Sequence, residues 1–229
     1  IIKKRSKIDD YESQLVEFFG FHNSIYEYDM FAPIRTLFSS SKINIEERRR
    51  QKMNEFWIRC SRHSFEKINN PYEYQDELLK LYIRKIHEYT LDPVHGYERV
   101  VLTLFRLGVT VLTQPYVKGI GAFGASMFID GKPCIVITDM KKKYHKLWLT
   151  LFHELYHVIN DRQMLERSVY HISSESEMSI FFNEEKADSF ACQMLIPKDV
   201  LPHVGKVIAS PYKVKALSDE LSVHTSIVY

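Results

Sequence analysis

One pentapeptide constrains this chain more than anything else in it: His153-Glu154-Leu155-Tyr156-His157, a match to H-E-x-x-H inside the stretch WLTLFHELYHV. On an α-helix, residues four apart stand one above the other, so both imidazoles can reach a single metal ion. Zinc suits the pair, because it takes imidazole nitrogen and accepts a tetrahedral site with one position left to water. Glu154, one step along the helix, would stand beside that water and take its proton. The competing reading is a helix with two surface histidines. Leu147, Trp148, Leu151, Phe152, Leu155 and Val158 argue against it, because they make the helix apolar on nearly every side and so mark it as buried. Buried ionisable groups need partners. A metal supplies them.

A second helix is expected from about Glu177 to Ile196, ending before Pro197. Its residues Glu184, Ala187, Asp188, Ala191 and Leu195 share one face by i, i+3, i+4 spacing. Two alanines beside two carboxylates let another helix approach closely while the carboxylates reach across. Glu184 can thus complete a His-His-Glu site with His153 and His157, and Asp188 can orient a ligating histidine from behind. Glu185 is about 100° away on the same helix and is expected to face elsewhere.

The rest of the chain reads as an α+β order. Residues 1–90 are mostly helical in pattern, with helices expected near Tyr11–Phe19, Met30–Phe38, Ile45–Cys60 and Tyr74–Tyr89. The last of these carries Leu78, Leu79, Leu81, Tyr82 and Ile86 near helical spacing. Tyr97–Leu107 reads as a helix closed by Gly108. Three strands are expected next, at Val109–Thr113, Gly121–Ile129 and Cys134–Thr138, with Asp130-Gly131 as a hairpin turn. The H-E-x-x-H helix follows, starting near Tyr144, and Asp161–Ser174 reads as polar loop. These elements imply a small antiparallel sheet packed on the H-E-x-x-H helix and the second metal-ligand helix, with a helical N-terminal region. The expected divisions are a helical linker or interaction region at 1–95, a metallopeptidase domain at 96–205 and an incomplete helix-turn-helix-like segment at 206–229.

Composition narrows the function classes. No apolar run reaches the eighteen or so residues of a membrane span, and the opening IIKKR has neither the apolar core nor the cleavage site of a signal peptide. The chain does not open with Met, which leads us to expect further sequence before residue 1. Cys60, Cys134 and Cys192 are odd in number and lack CxxC spacing, as expected in a reducing, cytoplasmic compartment. Residues 1–95 hold 16 Lys and Arg against 15 Asp and Glu, so they form no basic platform, and direct nucleic-acid binding by this fragment is not expected.

The motifs together resemble a known family. LFHELYHVI, followed 27 residues after His157 by EEKADSFACQMLIP, is similar to the ImmA/IrrE family of gluzincin-type zinc metallopeptidases. The family pattern is a H-E-x-x-H helix, then a helix with E-x-x-A-N/D-x-F-A ending at L-x-P. The resemblance covers about residues 97–229, including GVTVLTQP, GAFGAS, PCIVITD and a tail, Val214–Tyr229, similar to the family's helix-turn-helix-like end. Residues 11–90 resemble more weakly the segment that follows an XRE-type DNA-binding domain in fused members. Asp188 departs from the pattern, since many members carry Asn there; either side chain can hydrogen-bond an imidazole.

By this resemblance His153, His157 and Glu184 bind Zn2+, Glu154 is the general base, and the substrate is a protein or peptide, typically a repressor. The alternative is a non-proteolytic regulatory or antitoxin-type protein with a structural zinc site and a DNA-binding domain outside this chain. A donor to the tetrahedral oxyanion should also exist. Tyr156, Tyr170, His171, His203 and His224 are the candidates, and the sequence does not choose among them. Gly121–Ser126 resembles the substrate-binding edge strand of gluzincins and is expected to border the metal as a free sheet edge.

Overall fold

The computed structural model describes residues 45–116, 120–139, 142–167, 170–174 and 182–229. The helices expected at Tyr11–Phe19 and Met30–Phe38, and the first turns of the one expected from Glu177, fall outside those residues. The chain divides into two units, residues 1–63 and 64–229. From the first, the described residues form the long helix α1 (Ile45–Ile68), which runs on into the second. It stops where Asn69 turns left-handed at φ 45°, the usual device for ending a helix with Asn or Gly.

Asn70, within the second unit, holds the chain just past that stop. Buried, its side chain donates to the Phe105 carbonyl at 3.0 Å and accepts from the Tyr72 amide at 2.9 Å. Helix α2 (Asp76–Tyr82) then tightens into a 3-10 segment, Ile83–Leu91. Leu79, Ile83, Ile86 and Thr90, spaced four, three and four apart, form its buried stripe. Leu78 and Leu81, which the sequence pattern put in the core, are 49% and 63% exposed instead. With six apolar residues in nine over 78–86, more than one stripe could be drawn, and packing selected one. Helix α3 (Gly96–Arg106) follows and ends at Gly108, whose φ of 81° a side chain would resist.

Strands β1 (Thr110–Gln114), β2 (Ala122–Ile129) and β3 (Lys132–Thr138) come next. Asp130 and Gly131 both have positive φ, as a two-residue hairpin requires, and Ile129 faces Lys132 across it. The sheet is mixed, not antiparallel as the sequence order suggested. Its order is β1-β3-β2-β4, and β3 inserts between β1 and β2, running parallel to β1. Strand β4 (His171–Ser174) and the short helix α5 (Arg162–Arg167) lie within the stretch read as loop. Strand β4 pairs antiparallel with β2 through Ala122–Ser126. The expectation that Gly121–Ser126 is a free edge is therefore wrong: β2 is paired on both sides, and β4 is the outer strand among the described residues.

Helix α4 (Tyr144–Asn160), which starts at Tyr144 as expected, lies between the sheet and α6 (Glu184–Leu195). Trp148, Leu151, Phe152, Leu155 and Val158 are fully buried on it, each contributing on the order of 1.5–3 kcal/mol by leaving water. The core does not stop at 95/96 or at 205/206. Leu79, Ile83 and Ile86 belong to it, and so do Val214 of α8 (Pro211–Glu220) and Ile227 and Val228 of α9 (Thr225–Val228). The short α7 (Leu201–Val207) leads into this end. A helix, a turn and a four-residue helix occupy 211–228, and the His224 amide docks on Thr90 Oγ1 at 3.0 Å. No helix among the described residues is long and apolar enough to cross a membrane.

Candidate metal centre

The spacing of His153 and His157 does what a helix makes it do. Both rings project from one face of α4, with their Nε2 atoms 3.1 Å apart, and both residues are buried. Across from them, Asn183 caps α6 by accepting the Lys186 amide at 2.9 Å, which sets Glu184 in the first helical turn. A carboxylate is favoured there by the helix dipole. Ala187 and Ala191 are buried against α4, so the helices come close and Glu184 reaches the histidines. Its Oε2 lies 3.2 Å from His153 Nε2 and its Oε1 3.6 Å from His157 Nε2.

The outer side of each ring is also held. His153 Nδ1 meets Asp188 Oδ1 at 2.8 Å, and His157 Nδ1 meets Asp161 Oδ2 at 2.7 Å. A neutral imidazole that donates its Nδ1–H to a carboxylate turns a lone pair outward at Nε2. Two such lone pairs then face each other beside a carboxylate, an arrangement that calls for a cation. Donors bound ~2.05 Å from one tetrahedral zinc stand ~3.3 Å apart. The observed separations of 3.1, 3.2 and 3.6 Å bracket that value.

Charge around the cluster points the same way. Burial acts to lower the pKa of His153, but the Glu184 contact and the negative field of Glu154, Glu184 and Asp188 outweigh it and push it up to about 9. Burial acts to raise the pKa of Glu184. The close approach of His153 and His171, with the charge on the histidines, overcomes this and holds its carboxyl well below the usual range.

Glu154 is fully buried on the sheet side of α4. Ser126 Oγ, from β2, donates to its Oε2 at 2.6 Å, while Oε1 is buried with no hydrogen-bond partner. The carboxylate fits only because Gly124 lacks a side chain. A Cβ there would overlap Oε1 and stand 2.9 Å from Cγ and Cδ. Gly124→Ala is accordingly expected to cost roughly 1–3 kcal/mol, the usual overpacking penalty, read as a lower denaturant midpoint. It should also displace Glu154 and so impair any reaction that depends on it.

Two members of the site went unread in the sequence. His171, named only as one of five possible oxyanion donors, lies buried with its Nε2 3.0 Å from Glu184 Oε1, though without hydrogen-bond alignment. The ligand atoms of His153, His157, His171 and Glu184 all fall within 4.8 Å of one another. Asp161 was missed although it is four residues beyond His157, the same signal that linked the two histidines. The other oxyanion candidates fare differently. Tyr156 packs beside His157 with ring centroids 5.7 Å apart, His203 is exposed on α7, and His224 caps α9. Glu185 and Cys192 are exposed.

No protein-family model matches this chain, and no curated protein does. A buried group of three histidines and a glutamate is present that can hold a metal ion.

Proposed function

We propose that this chain is a zinc-dependent endopeptidase of the ImmA/IrrE type, acting in the cytoplasm on a regulatory, repressor-like protein. Glu154 carries the reading. A centre built only to brace the fold has no use for a fully buried carboxylate with one oxygen unpartnered, since that atom costs stability. A base waiting for a proton does.

His153, His157 and Glu184 would hold the ion, and two nitrogens with a carboxylate oxygen form a donor set that zinc accepts. When bound, the metal supplies Lewis acidity that polarises a carbonyl and makes water a nucleophile near neutral pH. The protein's own part is positional and protonic. Asp188 and Asp161 fix the tautomers of the two histidines, so both Nε2 atoms stay available. Ser126 holds one oxygen of Glu154, leaving Oε1 to take the proton of the attacking water and return it to the leaving amine. The three free cysteines are in keeping with a reducing compartment.

The second reading is a regulatory protein with a structural metal, and the fourth donor, His171, favours it, because structural zinc sites are closed by protein ligands. Incubating the zinc-loaded protein with candidate repressors, beside the chelated protein, separates the two. Cleavage that needs the metal supports the peptidase. Tight zinc retention with every candidate left intact would replace it with the structural reading.

A further inference from the structure

We propose that His171 is a displaceable fourth ligand, carried on strand β4, and that this conformation is the closed form of the metal centre. The proposal rests on the hydrolase reading above and concerns how that site is opened.

A four-coordinate hydrolytic metal needs three protein donors and one open position. His153, His157 and Glu184 already supply three. His171 supplies a fourth from a different element: its Nε2 is 3.0 Å from Glu184 Oε1, and its ring lies 4.4 Å from that of His157. Its ring also packs on Phe182 at 4.2 Å, so the side chain is held in the cluster and buried there. With all four bound, neither water nor a substrate carbonyl has a place on the ion.

The four donors are not anchored alike. His153 and His157 ride on α4 and Glu184 on α6, and both helices belong to the main core through Leu151, Leu155, Ala191 and Leu195. Strand β4 is four residues long and, among the described residues, sits at the edge of the sheet and pairs only with β2, through a register that shifts between Ala122 and Gly124. Its Ile172 is buried but outside that core. Peeling β4 away removes His171 while α4, α6 and strands β1–β3 keep their packing. Short edge strands with few apolar contacts open at low cost. His171 is thus the one donor that can leave without unfolding the site.

The test uses cobalt(II) in place of zinc, with acetohydroxamate as the probe that needs an open position. Visible absorption is followed during a hydroxamate titration of wild type and His171→Ala, each first shown to unfold cooperatively and to hold one cobalt. If the open form is a tenth of the wild-type population or less, the variant should bind hydroxamate at least ~10-fold more tightly. Its peptide hydrolysis should rise by a similar factor. In wild-type protein, hydrogen exchange of the His171–Ser174 amides should quicken when hydroxamate is added, a readout that requires no variant. Coincident titrations, with β4 protection unchanged by hydroxamate, would overturn the proposal. So would a variant that loses its cobalt or whose hydrolysis falls with hydroxamate affinity unaltered, since His171 would then brace the ion or serve the reacting carbonyl. Tighter hydroxamate binding without hydrolysis by either protein leaves the displaceable ligand standing and removes the peptidase. Hydrolysis by wild type with coincident titrations does the reverse.

Discussion

Glu154→Gln should abolish hydrolysis and leave the metal in place. The amide has nearly the shape of the carboxylate, and its oxygen can still accept the Ser126 hydroxyl that now sits 2.6 Å from Oε2. What it lacks is basicity. Positioned general acid–base groups contribute roughly 10²–10⁴-fold, and Glu154 is asked to act twice, on the attacking water and on the leaving amine. A fall in kcat of about 10³-fold or more is expected, with KM and metal content little changed. Stability should hold or rise slightly, because a buried ionisable group with an unpartnered oxygen gives way to a neutral one. Peptide hydrolysis, metal analysis and a denaturation curve on the same preparation read all three. A variant that keeps its rate would place the base elsewhere; one that loses its metal would mean that Glu154 is itself a donor.

The parts of this site that sequence could reach are those governed by one helix at a time. His153 and His157 share a face because 3.6 residues make a turn, and the same arithmetic put Glu184, Ala187, Asp188 and Ala191 on another. Asp130-Gly131 was readable because both residues tolerate positive φ. Pairing between distant segments was not. Nothing local in Cys134–Thr138 says that it will slide between β1 and β2, which is why the sheet is mixed and not antiparallel. Nor does HISS carry the alternation or length of a strand, so β4 read as loop and His171 as one candidate among five. Gly124 and Ser126 alternate on one face of β2, but their partner lies 28 or more residues along, at Glu154. Chemistry on helices was legible, and so was β2 as a strand; its contact with Glu154 and the strand that covers the site were not.

The two adjacent carboxylates at the start of α6 give the sharpest measurement on the metal itself. Glu184 faces the Nε2 atoms of His153 and His157, at 3.2 and 3.6 Å, and the histidines around it hold its carboxyl ionised. Glu185 is one residue on, about 100° around the helix, and exposed to solvent. Replacing Glu184 by Gln removes the one anion among the donors closest to the ion and leaves an amide of weaker affinity. Losing a partner one bond further out, as Asp188 or Asp161 would be, typically costs 10–100-fold in metal affinity, so Glu184→Gln should cost at least ~100-fold. Glu185→Gln should leave affinity within about a factor of two, since a charge at the surface is largely screened by salt. Competition against a chromogenic chelator, with both variants beside wild type, reads the difference directly. Equal losses would mean that overall charge and not coordination is being measured. The reverse order would mean that α6 is turned by one residue from the position that Asn183 sets by capping it.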